Sequence, residues 1–228
     1  MGFSRFYHQA IPPELEQDVA DAIALQNTLR HQVSLQDDFG PLTTIAGIDS
    51  GYDMNRNLNK AVVVVMDWPS LEVQTTVIAT SPTTFPYVPG LLSFREIPAV
   101  LEALSCLPQK PDLLMVDGQG IAHPRRLGIA AHLGVVTGIP SIGVAKSRLC
   151  GKHSELPLEK GAITKLADKG ENIGYVLRSK DKCNELYISA GHRVSQDTAL
   201  NLTLKCLGKY RLPEPTRIAD QISKWPLG

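Results

Sequence analysis

The 228-residue sequence has no C-x-x-C pair, no apolar run of membrane-spanning length, no internal repeat and no Gly/Ser-rich linker. Its four cysteines (Cys106, Cys150, Cys183 and Cys206) are far apart. That spacing indicates neither a zinc site nor a disulfide framework, and it reads as reduced thiols of a cytosolic protein. The first residues, "MGFSRFYHQAIPPELE", lack the apolar segment of a signal peptide. A cytoplasmic monomer with no membrane partner is expected, folded as one domain over residues 1–228. Net charge is also missing, with 23 basic and 23 acidic residues, and a zero sum taken alone argues against nucleic acid. The distribution is uneven, however. From Ile121 to His153 there is no acid, while Arg125, Arg126, Lys146, Arg148 and Lys152 are all there. Such a segment can hold a polyanion locally, or it can be an ordinary charged surface.

Residues 13–31 follow paired prolines and carry Leu15, Val19, Ala22, Ile23 and Leu29 along one stripe, which predicts an amphipathic helix packed on the core. "TTIAGID", "DLLMVD" and "SIGVA" are short buried strands. "KAVVVVMD" and "EVQTTVIAT" form a hairpin about "WPS", and "NIGYVLRS" and "ELYISAG" add further strands. Helices are predicted over 99–107, from Pro124 to about Gly138, and from a Ser195 cap to about Leu207. Hairpins first and alternating strands and helices afterwards specify an α/β protein, a mixed β-sheet flanked by helices.

Two segments share one design. "IAGIDSG" and "LLMVDGQG" are apolar runs that each end in Asp and break at glycine. Strands apolar on both faces are central, and ligands gather at the carboxyl ends of such strands. If the two are neighbours, Asp49 and Asp117 converge and a divalent cation resolves their repulsion. The alternative is that each Asp caps a turn. Glu96 can be a third ligand, or it can close a capping box with Ser93. Pro98 favours a helix that starts there and leaves Glu96 free. An all-carboxylate set suits Mg²⁺, with Mn²⁺ as a substitute, rather than zinc. His123 can cap a helix or meet phosphate or water, His132 reads as helix surface or packing, and Lys146 is either an exposed lysine or a phosphate contact. The stretch "TTFPYVPGLLSFRE" sets Tyr87 on a proline-stiffened loop, as a tip that meets DNA or as a core anchor.

The stretches "AGIDSGY", "PYVPGLLSFRE", "PDLLMVDGQGIAHPRRLGIAAHLG", "PSIGVAKSRLCGK", "GHRVS" and "LPEPTRIAD" resemble, in that order, the motifs of the endonuclease V family. The resemblance implies a ribonuclease H-like fold and a deoxyinosine-directed, metal-dependent DNA repair endonuclease. Such an enzyme cuts the second phosphodiester bond 3′ to the lesion by metal-activated water, leaving 3′-hydroxyl and 5′-phosphate ends. It implies Asp49, Glu96 and Asp117 as metal and catalytic carboxylates, His123 and Lys146 as catalytic-site supports, and Tyr87 as a wedge. Asp220 stands where some relatives carry histidine, and its contact is left open. Gly90, Gly118 and Gly120 let backbone approach a flipped base, or simply serve turns; Arg125 and Arg126 lie on the DNA. The expected partner is deoxyinosine DNA, single- or double-stranded, with inosine-containing RNA as a further candidate. The rival readings are another ribonuclease H-like nuclease and a metal-free nucleic-acid binding module.

Overall fold

The computed structural model describes residues 19–85 and 87–226. In chain order it contains α1 (Val19–Leu29) with a 3₁₀ turn (Arg30–Gln32), β1 (Thr44–Asp53), β2 (Leu58–Asp67), β3 (Val73–Pro82), α2 (Leu92–Ser105), β4 (Leu114–Asp117) and α3 (Ile129–Thr137). There follow β5 (Ser141–Ala145), β6 (Ile163–Asp168), β7 (Glu171–Leu177), β8 (Leu186–His192), α4 (Gln196–Lys205) and α5 (Glu214–Ser223). The strands form one eight-stranded sheet in the order β3-β2-β1-β4-β5-β8-β7-β6. The pairs β1–β4 and β4–β5 are parallel, and the others are antiparallel.

The run "AVVVVM" shows why the sheet is central. Ala61, Val63 and Val65 pack on one face with Phe94, Ile97 and Leu104 of α2 and Leu133 of α3. Val62, Val64 and Met66 pack on the other with Leu202 of α4 and Ala219 and Ile222 of α5. Successive strand residues point to opposite faces, so an unbroken apolar run requires helices on both. Among the described residues no helix is long and apolar enough to cross a membrane.

Several elements depart from the pattern read in the sequence. β1 does not end at Asp49. It continues to Asp53 because β2 still pairs with it, from Asp49↔Val62 to Asp53↔Leu58, after β4 has ended. α2 starts at Leu92 and runs through Pro98. An interior proline costs about 3 kcal/mol, but the helix buries Phe94, Ile97, Leu101 and Leu104, each worth roughly 1.5–3 kcal/mol, and packing wins. The capping box is absent, since the N-cap is Leu91 and the Ser93 hydroxyl pairs with buried His132 Nδ1 at 3.0 Å. α3 opens at Ile129, five residues past Pro124. The amides of Gly128 and Ala130 donate to the carbonyls of Gly120 and Gln119 (2.8 and 3.0 Å), which ties the intervening turn to the end of β4. β6 and α5 carried no signal strong enough to be expected. Residues 13–18 of the expected N-terminal helix, and Pro86, lie outside the described residues.

Candidate active site

β1 and β4 run parallel with Ile48 beside Val116, so the next residues, Asp49 and Asp117, emerge side by side. A third carboxylate comes from α5. A Cβ on Gly47 would lie 2.0 Å from the carbonyl oxygen of Pro215, so only glycine admits the first turn of α5 against β1. That approach delivers Ser223, whose hydroxyl donates to Asp49 Oδ2 at 2.5 Å, and Asp220. Carboxylate oxygens of Asp49, Asp117 and Asp220 all fall within 4.8 Å of one another. Glu96 stands beside this group from α2, hydrogen-bonded to Ser50 and within reach of the charges of Asp49 and Asp117.

Negative charge exceeds what the surroundings neutralise. Lys146 Nζ lies 2.5 Å from both Asp117 Oδ2 and Asp220 Oδ1, and Lys224 Nζ is 2.7 Å from Asp220 Oδ2. Burial opposes ionisation of Asp220, but these two ammoniums outweigh it and hold the carboxyl below its ordinary range. Burial likewise opposes charge on Lys146, and the surrounding carboxylates outweigh it and raise the ammonium. Asp117 behaves oppositely to Asp220. Burial and the adjacent Asp49 push it up to about 7, and Lys146 only partly offsets them. Its buried Oδ2 has the Lys146 ammonium as its one charged partner, and Lys146 divides itself between Asp117 and Asp220. Glu96 is also pushed up to about 7, by burial and then by Asp49 and Asp117, against the Ser50 hydrogen bond. Crowded carboxylate oxygens that share one lysine, and two reluctant acids, fit a hard divalent cation.

A groove of about 390 Å³ opens from this cluster, lined by Tyr87, Gly90, Glu96, Asp117, Gly118 and Arg148 among others. Tyr87 is 69% exposed at its rim, which removes the core-anchor alternative; Phe85 and Leu91, both 1% exposed, anchor the loop instead. The loop is fastened at one atom, the Gly90 carbonyl. It accepts from Gln26 Nε2, His123 Nε2 and Arg125 Nη2, each at 2.9 Å. His123 Nδ1 accepts the Arg125 amide at 3.1 Å, so the proton resides on Nε2. Burial, with Arg125 and Arg126 nearby, lowers the imidazole to about 4 against the favourable Gly90 bond. At neutral pH His123 is an uncharged latch at the wall of the groove. Gly90 itself has φ +82°, and a Cβ there would meet Arg125 at 2.9 Å, so the latch requires glycine.

The expected DNA contacts divide. Tyr87, Gly90, Gly118, Lys146 and Arg148 line the groove. Gly120 does not: its amide donates to Ser189 Oγ at 2.8 Å, and its α-carbon faces the β8 backbone. Arg125 and Arg126 are corrected as well. Arg125 is spent on Gln26 and Gly90; Arg126 is spent on Asp168 (2.9 Å) and Glu171 (2.8 Å), from a strand pair distant in sequence. Sequence reasoning missed Gln26 and Ser223, and it left Asp220 undecided. A polar residue inside the apolar stripe of α1 was the available signal for Gln26; Ser223 offered none.

A family model described as endonuclease V matches residues 27–221. The chain is 52% identical over 206 residues to the endonuclease V of Trichormus variabilis, covering 90% of this chain and 93% of that one. It is also 52% identical over 204 residues to the endonuclease V of Azotobacter vinelandii (90% and 92% covered). Among solved structures, endonuclease V from Streptomyces avermitilis matches with a TM-score of 0.87 at 41% identity, covering 94% and 95% of the two chains. Endonuclease V of Ciona intestinalis, in complex with a 24mer DNA containing an inosine followed by a ribo-adenosine, matches with a TM-score of 0.78 at 27% identity (90% and 96%). The helix-flanked mixed sheet is thus the ribonuclease H-like fold expected from the motifs.

Proposed function

The chain belongs to the endonuclease V family, and from that premise we propose that it is a Mg²⁺-dependent DNA repair endonuclease acting at deoxyinosine. It hydrolyses the second phosphodiester bond 3′ to the lesion and leaves 3′-hydroxyl and 5′-phosphate ends. One observation carries this reading: the exposed Tyr87 loop and the carboxylates Asp49, Asp117 and Glu96 line a single groove. A base extruded from the stack and the bond to be cut are therefore handled on one continuous surface. The inosine-containing DNA bound by the Ciona relative supports the same substrate.

Asp49 and Asp117 would hold the cation, with Asp220 and Glu96 at its flanks. When bound, that cation supplies Lewis-acid polarisation of the phosphate and lowers the pKa of water. Glu96, beside Asp49 and Asp117 and bonded to Ser50, is suited to accept a proton from attacking water. The Lys146 ammonium lies among the carboxylates and can neutralise charge gathering on the phosphate oxygens. Tyr87 fills the stack where the base has left, which returns part of the few kcal/mol that extraction costs. Hypoxanthine presents an N1–H donor and an O6 acceptor, the reverse of adenine, and backbone groups at Gly118 in the groove can read that polarity.

The test is cleavage of matched oligonucleotides carrying adenine, inosine, uracil or an abasic site, with and without Mg²⁺. Inosine-selective, Mg²⁺-dependent nicking supports the reading. Equal cleavage of all four substrates points to a lesion-independent nuclease, and no cleavage of any to a binding module.

A further inference from the structure

The carboxylates border a second groove, which Tyr87 does not line. It measures about 470 Å³ and shares Asp49, Ser50 and Lys146 with the first. Its remaining walls come from the far half of β1, from Lys60 on β2, and from the end of α5 with the segment that follows it. Two aromatics face it, Tyr52 at 43% and Trp225 at 56% exposure, together with Lys224.

Tyr52 is held by its side chain and Trp225 by its backbone before any ligand arrives. The Tyr52 hydroxyl donates to Asn57 Oδ1 at 2.8 Å, and the Arg95 guanidinium lies 4.0 Å from its ring centroid. The Trp225 amide donates to the Ile222 carbonyl at 3.0 Å, and its own carbonyl accepts from Lys60 Nζ. Lys60 is only 6% exposed, so a buried ammonium is spent on fastening the backbone of an exposed tryptophan. Large apolar side chains held out to water by a rigid backbone lose little entropy on binding. Asp49, Asp53 and Asp220 offset Lys60, Lys146 and Lys224 in the lining, so exposed aromatics, with the Lys224 side chain still 70% exposed while paired to Asp220, are what suit the groove to a single strand.

We propose that this groove is the track for the DNA strand 3′ of the cut, with bases stacking on Trp225 and Tyr52 and the backbone passing Lys224. The assignment rests on the reading above. With the lesion in the Tyr87 groove and the scissile phosphate at the carboxylates, the strand beyond the cut needs a second surface that adjoins the carboxylates. The Tyr52–Trp225 groove, which shares Asp49, Ser50 and Lys146 with the first, supplies it. The nucleotides held there carry the new 5′-phosphate after cleavage.

The test uses Mg²⁺-loaded protein and single-stranded inosine oligonucleotides with a 3′ arm of either one nucleotide or several beyond the scissile bond. The long arm is expected to lower KM relative to the short one. Trp225→Ala should abolish that advantage, raising KM for the long arm about tenfold, while leaving the short-arm reaction and the preference for inosine over adenine unchanged. Trp225→Phe should restore most of the advantage. An arm-length effect that persists undiminished in Trp225→Ala, or no such effect in the wild type, overturns the track. Neither result disturbs the deoxyinosine reading, which fails only if inosine directs no cleavage on either arm. A lower melting temperature for Trp225→Ala with equal losses on both arms makes Trp225 a structural residue and also overturns the proposal.

Discussion

Two buried charge clusters in this molecule obey opposite rules. Near the β7–β8 connection the Arg178 guanidinium is 6% exposed and satisfied throughout. Nε donates to the Pro157 carbonyl (3.1 Å), Nη2 to that of Leu156 (3.3 Å), and Nη1 to Glu185 Oε2 (3.0 Å) and the Cys183 carbonyl. At the ends of β1 and β4, by contrast, Asp49, Asp117, Asp220 and Glu96 crowd together, Asp117 and Asp220 share Lys146, and two of the acids are pushed up to about 7. A buried charge with every partner supplied holds structure. A buried cluster short of counter-charge is kept for something it binds.

The largest effect that can break this contrast is on activity. Asp117→Ala should lower Mg²⁺-dependent cleavage by about 10³-fold or more, because the cation contributes several kcal/mol to the transition state. Its cation-free melting temperature should be no lower than the wild type's, since the substitution relieves repulsion from Asp49. Near-normal cleavage would remove Asp117 from the site.

Arg178→Ala should do the reverse. It leaves the carbonyls of Leu156, Pro157 and Cys183 without their donor and should cost about 3–5 kcal/mol in urea unfolding. Specific activity per folded molecule should stay unchanged. Selective loss of activity at full stability would erase the distinction between the clusters.

A third measurement sharpens it through pH. Asp117 and Glu96 have folded-state values raised to about 7 from 3.8 and 4.5. In cation-free protein their contribution to stability therefore falls as pH rises from about 4 through 7, where the unfolded chain has already released the protons. A divalent cation competes with those same protons. The rise in melting temperature on adding Mg²⁺ should be several degrees larger at about pH 8 than at about pH 6. An equal rise at both would show that these acids do not meet the cation.

The smallest effect concerns the loop. With its side chain mostly in solvent, Tyr87→Ala should change stability by no more than about 0.5 kcal/mol. Cleavage of duplex inosine substrate should fall about tenfold and that of single-stranded substrate less, because only the duplex has a stack to fill. Equal losses on the two substrates would reject the wedge.

The strands bearing Asp49 and Asp117 were legible because each is an apolar run of the kind a covered sheet demands. The Ser195 cap of α4 was legible too, and its hydroxyl accepts the Thr198 amide as expected. Local grammar misled at Glu96, where Ser93 and Pro98 spoke about turns and caps while Phe94, Ile97, Leu101 and Leu104 imposed a continuous helix. It misled again at Arg125 and Arg126. An acid-free segment looked available to phosphate, but its partners Asp168 and Glu171 arrive from β6 and β7, across more than forty residues of chain.

Periodicity and the paired Asp–Gly endings reached as far as a mixed sheet with two carboxylates at its centre, because strand burial and strand termination are local properties of a chain. Which third carboxylate joins them, and what holds the Tyr87 loop, depended on approaches between segments remote in sequence. α5 reaches β1 only where Gly47 leaves room, and Gln26, His123 and Arg125 meet at the Gly90 carbonyl only when α1 packs. Those contacts arise from close packing of whole elements, and close packing leaves no periodic mark in any one of them.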